Sequence, residues 1–242
     1  MSEGAAAELT RRLRESGSED LECLLERHLE ELRPPAAGQV LRNPHLTTRG
    51  IELLLSRPVL MAAYDVRSEL AAHPRTPEAA ALRLVAGLYW RDLVSIGKDV
   101  RVRPTVRRAA DRTLGERLPG LAVGEKAAIA RGGGPGVLAR LRHDPSPRVI
   151  AALLENPRLT EGILGPLVTS EQALPQVLAA IAASGWGLRY PIRVALSRNR
   201  RTPVDTALAL LPSLKKRDLD VVACDHKLPV PVRRRAQLLS GR

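Results

Sequence analysis

Apolar residues along the chain fall at helical spacing in short blocks, and each block is closed by a polar residue and a proline. The first block is the clearest. Leu21, Leu24, Leu25, His28, Leu29 and Leu32 fall at i, i+3, i+4, i+7, i+8 and i+11, one stripe of an amphipathic helix. Ser18 precedes it as an N-cap, and Glu19, Asp20 and Glu22 suit the positive end of the helix dipole. Pro34-Pro35 ends it. Residues 5–15 read as a shorter helix before it.

From Gln39 onward one grammar recurs. A helix closes on a polar-Pro or Asn-Arg step, a few residues follow, and Thr opens the next helix. The instances are Asn43-Pro44-His45-Leu46-Thr47, His73-Pro74-Arg75-Thr76-Pro77, Asn156-Pro157-Arg158-Leu159-Thr160 and Asn199-Arg200-Arg201-Thr202-Pro203. Asn tolerates the left-handed conformation at a helix C-terminus. Pro cannot extend the helix before it, Thr caps the next one, and Pro suits the first helical position. The pattern predicts helices over 49–55, 78–88, 161–168 and 204–211. Leu82, Val85 and Leu88 share one face, as do Leu208, Leu211 and Leu214. Helices starting near Asp65, Pro147 and Pro191 precede the turns. The unit is two antiparallel helices joined by a tight turn.

The unit also repeats at long range. Residues 64–110 lie on 190–236 without a gap, with 18 of 47 pairs identical. The matches include Tyr64/Tyr190, Arg67/Arg193, Leu70/Leu196, Thr76/Thr202, Asp92/Asp218, Asp99/Asp225, Val106/Val232, Arg107/Arg233 and Arg108/Arg234. Two copies of one helical module imply an all-α repeat protein. Its domains read as an acidic amphipathic cap or docking segment over 1–35, a first module over 36–112, a connector over 113–147 and a second module over 148–242. Between the Asn-Pro step and the shared Tyr, the second copy has 33 residues against 20 in the first. The excess predicts an added or lengthened helix opened by Ser170. Within the connector, residues 131–136 read as a flexible Gly-rich break. Neither a preceding strand nor a following Lys accompanies it, so it is not a phosphate loop.

The strings VIAALLENPRLTEGIL, VRSELAAHPRTPEAAALRLV and IRVALSRNRRTPVDTALALL resemble bacterial HEAT-like repeats, above all the leucine-rich repeat variants. The resemblance spans roughly residues 39–239, although its motifs fill under half of that stretch. It implies a right-handed α-α superhelix, an armadillo-like solenoid with short second helices, and a surface that binds partners; it implies no reaction. The iron–sulfur cysteine cluster of some such proteins has no counterpart here.

Composition narrows the functional classes. Phe is absent, and two Trp and three Tyr leave Leu, Ala, Val and Ile to fill the core. Net charge is +12, yet residues 1–33 carry nine acidic against five basic residues, a net of −4. The rest is therefore strongly cationic, which suits an acidic protein, a nucleic acid or an anionic membrane face, while a GC-rich genome, which raises Arg, Ala, Gly and Pro together, would produce the same bias. Cys23 and Cys224 form no CxxC pair and read as reduced thiols of a cytoplasmic protein. The start Met1-Ser2-Glu3-Gly4 lacks the features of a leader, and no apolar run is long enough for a membrane span.

No nucleophile, acid–base or metal spacing stands out among the five His and two Cys, so the chain reads as a non-enzyme without cofactor or metal. Two polar sets recur. Arg67, Arg91, Asp92 and Asp99, with Arg193, Arg217, Asp218 and Asp225, suit structural ion pairs in which Arg67 and Arg193 reach a neighbouring Asp. Arg101, Arg103, Arg107, Arg108 and Arg112, with Lys215, Lys216, Arg233, Arg234 and Arg235, suit an anionic partner. The leading expectation is a scaffold or adaptor that binds a protein partner, acidic in character. The alternative is sequence-independent DNA or RNA binding along an Arg stripe. The scarcity of aromatic side chains argues against base stacking. Oligomeric state is not written in the sequence.

Overall fold

The computed structural model describes residues 3–241; Met1 and Ser2, part of the stretch examined for a leader, and Arg242 lie outside it. Among the described residues all regular structure is helical: eighteen α-helices and three 3₁₀ turns. No helix is long and apolar enough to cross a membrane. The chain divides into two units, Met1–Glu116 and Arg117–Arg242.

The first unit holds α1 (Glu3–Glu15), α2 (Ser18–His28), α3 (Pro34–Leu41), α4 (Thr48–Leu55), α5 (Pro58–Ala62), α6 (Tyr64–Ala72), α7 (Glu78–Val85), α8 (Trp90–Lys98) and α9 (Pro104–Arg117). Helix α1 packs on α3, α3 on α6 and α6 on α8, while α2 packs on α4. Leu13, Leu21, Leu24, Leu25 and Leu32 belong to the same buried cluster as Val40, Ile51, Leu54 and Leu70. The acidic N-terminal segment is thus the first layer of this unit. Each fully buried leucine contributes about 1.5–3 kcal/mol.

The second unit holds α10 (Val123–Gly132), α11 (Pro135–Leu141), α12 (Pro147–Leu154), α13 (Glu161–Val168), α14 (Pro175–Ala183), α15 (Tyr190–Arg198), α16 (Val204–Leu210), α17 (Lys216–Cys224) and α18 (Val230–Ser240). Helices α11, α13, α15 and α17 pack on one another in turn, as do α10, α12 and α14, and α16 packs on α18. The chain therefore passes back and forth between two layers. The added helix of the second copy is α14, and it opens at Pro175. Ser170 stands earlier, in the turn, where its Oγ accepts the Gln172 N–H at 3.1 Å.

One turn design joins seven helix pairs. Call its first residue X: Asn43, His73, Asp99, Asn156, Ser170, Asn199 and Asp225. The side chain of X accepts the backbone N–H two residues on, at 2.7 to 3.2 Å. The carbonyl of X accepts the N–H of X+3. The X+3 residues, Leu46, Thr76, Val102, Leu159, Ala173, Thr202 and Leu228, are all buried. The next helix opens at X+5 in each case. Side-chain closure of this kind satisfies turn donors that a tight turn leaves unbonded.

Several expectations change here. No described residue other than a glycine has positive φ, so the turn asparagines are not left-handed caps. Asn43, Asn156 and Asn199 are buried instead. Their Nδ2 groups bond carbonyls of an earlier turn in the same unit. Asn43 reaches Leu13 and Ser16, both at 3.0 Å. Asn156 reaches Ala130 at 2.7 Å and Gly133 at 3.2 Å. Asn199 reaches Val168 at 2.7 Å and Ser170 at 2.9 Å. A short amide serves here because its two donors and one acceptor are all used in a dry site.

Thr47 caps its helix as expected, accepting from Gly50 at 3.1 Å. Thr76 and Thr202 do not: each hydroxyl donates at 2.7 Å to a carbonyl of the preceding helix, Leu70 and Leu196, which the helix end leaves open. Ser18 begins α2 without capping it. Pro34-Pro35 opens α3 at the position where Pro loses no needed N–H. Leu82 is exposed, since α7 buries Ala80, Ala81 and Val85.

The Gly-rich stretch is a packed turn inside the second unit. A Cβ on Gly133 would lie 2.6 Å from Val137 Cγ1 and 2.7 Å from the Ile129 carbonyl, so glycine is required by closeness. The unit boundary falls earlier, after Glu116.

Candidate basic interface

The duplicated polar residues are built into the helix junctions. In the first unit the Tyr64 hydroxyl donates to Asp92 Oδ2 and accepts the Tyr89 N–H at 2.8 Å. In the second, the Tyr190 hydroxyl donates to Asp218 Oδ2 and accepts the Lys215 N–H at 3.0 Å. Each Tyr thereby ties the start of one helix to the start of the helix 26 residues further along. Both phenols are shifted upward, first by desolvation and then by the adjacent carboxylate.

The expected ion pairs are therefore not formed: Asp92 and Asp218 are engaged by tyrosines. Arg67 stacks over the Tyr64 ring at 5.7 Å. Arg193 donates to the carbonyls of Gly187 at 3.3 Å and Leu188 at 2.6 Å. Arg91 stacks over Trp90 at 5.3 Å, and Arg217 is exposed. A phenol wins over a guanidinium at Asp92 and Asp218 because its rigid ring carries the hydroxyl to the junction at little rotamer cost. Asp99 does pair with a cation, but locally: Arg101 Nη2 lies 2.8 Å from its Oδ2. That bond, and the Arg101 N–H, hold the Asp99 carboxyl below its usual range. Asp225 accepts the Lys227 N–H at 3.0 Å.

The basic cluster sorts by what each side chain touches. Arg103 Nε donates to the Pro74 carbonyl at 3.4 Å. Arg107 and Arg233 are half-buried against their turns. Arg233 Nε donates to the Leu228 carbonyl at 3.2 Å, whereas the buried Arg107 Nε has no hydrogen-bond partner. Lys215 places its ammonium 5.2 Å from the centre of the Tyr190 ring. Arg101, Arg103 and Lys215 are exposed as well but engaged; the exposed residues of the cluster left without a partner among the described residues are Arg108 and Arg112 on α9, one turn apart, and Lys216, Arg234 and Arg235 on α17 and α18. None of these five forms an ion pair among the described residues. Exposed apolar side chains belong to the same segments: Val100, in the turn before α9, is 82% exposed, and on α18 Val230 and Leu238 are 48% and 71% exposed.

Sequence reasoning missed the carbonyl-binding role of the three asparagines, and it missed a strap. Arg75 Nη1 donates to the Leu46 carbonyl. Its duplicate Arg201 donates through Nε to Ala173 at 3.4 Å. In both cases X+2 of one turn reaches X+3 of the turn before it. The identity of Arg75 and Arg201 between the copies was the available clue. Trp186 Nε1 also bonds the Leu154 carbonyl at 3.2 Å. No described group of three or more His, Cys, Asp or Glu could hold a metal ion.

Comparison with protein-family models and with curated proteins finds no match to this chain.

Proposed function

We propose that the protein is a non-catalytic helical-repeat scaffold, a HEAT-like right-handed superhelix of the kind its repeats resemble, that binds an acidic protein partner in the cytoplasm. The observation that carries this reading is the α9 surface. Arg108 and Arg112 stand one helical turn apart, exposed and without carboxylate partners. Exposed Val100 lies in the turn that leads into the same helix. Cations beside apolar area fit a protein surface better than a bare phosphate backbone. The duplicated polar residues Tyr64, Asp92, Tyr190 and Asp218 offer no competing site, because they are used in joining helices.

The test uses the tagged full-length chain, wild type and R108E/R112E, for affinity capture from the native cell with nuclease present. A defined acidic protein should be recovered by the wild type and lost with the variant, while both melt at the same temperature. Undiminished recovery by the variant overturns the α9 assignment. Tight binding of random-sequence duplex DNA, weakening linearly with salt on a log–log plot, would favour the nucleic-acid reading instead.

A further inference from the structure

The two ends of the chain carry opposite surfaces. Residues 215–235 hold seven Lys or Arg against three Asp, a net of +4, opposite in sign and equal in size to the net of −4 over residues 1–33. In the second unit α18 packs on α16 and α17, burying Val232 and Ala236. Its other side is open. Val230, Arg234 and Leu238 recur at intervals of four along that side, and Arg235 stands beside them, all exposed. In the first unit α2 packs on α4 through Leu21, Leu24 and Leu25. Its exposed side presents Glu19, Asp20, Cys23 and Glu26, with Arg27 at its C-terminal end and Glu26 held 3.6 Å from Arg49, so among the described residues the free carboxylates of this side are those of Glu19 and Asp20. No large hydrophobic side chain is among the exposed residues of α2, whereas α18 exposes two. One helix offers cations beside an apolar ridge; the first turn of the other offers two free carboxylates beside a small thiol.

We propose that the α18 ridge of one copy docks on the acidic α2 face of a second copy, so that the protein associates head to tail. Arg234 and Arg235 would meet Glu19 and Asp20, and the Val230 and Leu238 side chains would cover Cys23 and the carbon stems of the surrounding carboxylates. The contact is heterologous, since the two faces are different. The dimer keeps one unused face of each sign, α2 on one copy and α18 on the other, so growth continues past it. Charge contributes mainly to encounter rate and specificity, so association is weak and strongly screened by salt. The proposed contact uses neither Arg108 nor Arg112 and is independent of partner binding on α9.

Sedimentation velocity on the full chain tests this over rising concentration, at about 0.05 M and about 0.5 M salt. Average mass should rise with concentration at low salt and fall back to the monomer at high salt. R234E/R235E alters exposed residues and should leave the melting temperature unchanged; E19K/D20K places cations at the N-terminal turn of α2 and should melt slightly lower while keeping the wild-type circular dichroism spectrum. Each alone should weaken association at least tenfold. Mixed in equal amounts, the two variants again supply opposite faces, the unaltered α18 of one with the unaltered α2 of the other as well as the reversed pair, and should associate again. A monomer at every concentration in low salt overturns the proposal. So does wild-type association by either variant alone, or a mixture that stays monomeric.

Discussion

Residues 64–110 and 190–236 carry one helical scheme twice, and the comparison separates what holds the fold from what is free to change. The junction bond is kept: Tyr64 with Asp92, Tyr190 with Asp218. The Thr hydroxyls bond equivalent carbonyls at the same 2.7 Å. Leu70 and Leu196 are fully buried. Around this shared frame the surroundings differ. The Tyr64 ring packs on Tyr89 with centroids 4.5 Å apart, while the Tyr190 ring faces the Lys215 ammonium. Arg193 finds carbonyl partners in the 3₁₀ segment Gly185–Leu188. Its twin Arg67 follows the short helix α5 and settles over a ring. Identical residues thus acquire different partners when the preceding segment differs. Identity between the copies marks architecture at the buried and junction positions, while the identical pair Arg108 and Arg234 is exposed in both copies and belongs to the proposed surfaces.

The comparison breaks most sharply at the leucines. Leu70→Ala and Leu196→Ala should each cost about 3–4 kcal/mol, because both side chains leave cavities in packed sites. Urea denaturation followed by circular dichroism measures this. A large inequality between the two would show that the copies are packed differently despite their matching burial.

Position X is next. Asn199 makes three hydrogen bonds and His73, its counterpart, makes one. Asn199→Ala should therefore cost about 2–3 kcal/mol, and His73→Ala less than about 1 kcal/mol. The His73 pKa is lowered by burial and by Arg75. A lowered His pKa means that the folded state binds the proton less well than the unfolded state. Its contribution is whole above the unfolded value of about 6.5 and is lost as pH falls towards the folded value. His73→Asn should remove that acid dependence, which thermal melts between pH 7.5 and 5.5 would reveal.

Tyr64→Phe should cost about 1–2 kcal/mol by removing a hydroxyl that both donates and accepts; Tyr190→Phe should act in the same direction. Both phenol pKa values are raised, so the folded state holds these protons more tightly. Their contribution is whole below about pH 10 and fades as pH rises through the folded value. Alkaline denaturation of the two variants should be correspondingly less steep than that of the wild type. The smallest effect is expected where the copies diverge on the surface. Lys215→Ala should change stability by less than about 0.5 kcal/mol, and a larger loss would give its contact with the Tyr190 ring structural weight.

Much of the helical order is legible in the sequence because its causes are local. Proline and polar residues punctuate each block within five positions, and the bounds of α13 and the start of α16 follow from them. Extent is less legible where burial decides it: α7 ends at Val85, three residues before the apolar pattern does. The candidate surface is legible only as a charge count. Whether an arginine serves a partner or a turn depends on what lies across from it. Arg107 and Arg108 are neighbours in sequence, yet one is half-buried and the other faces solvent.

The sequence by itself determined the helical periodicity, the turn positions, the duplication and the opposite charge of the two ends. These depend on residue type and spacing alone. Only the tertiary structure decided that Asn43, Asn156 and Asn199 bind carbonyls 23 to 31 residues earlier, that Asp92 and Asp218 belong to tyrosines, and which cations remain outward. Each of those depends on groups brought together by helix packing, and a buried polar atom bonds whichever partner packing places within about 3 Å of it.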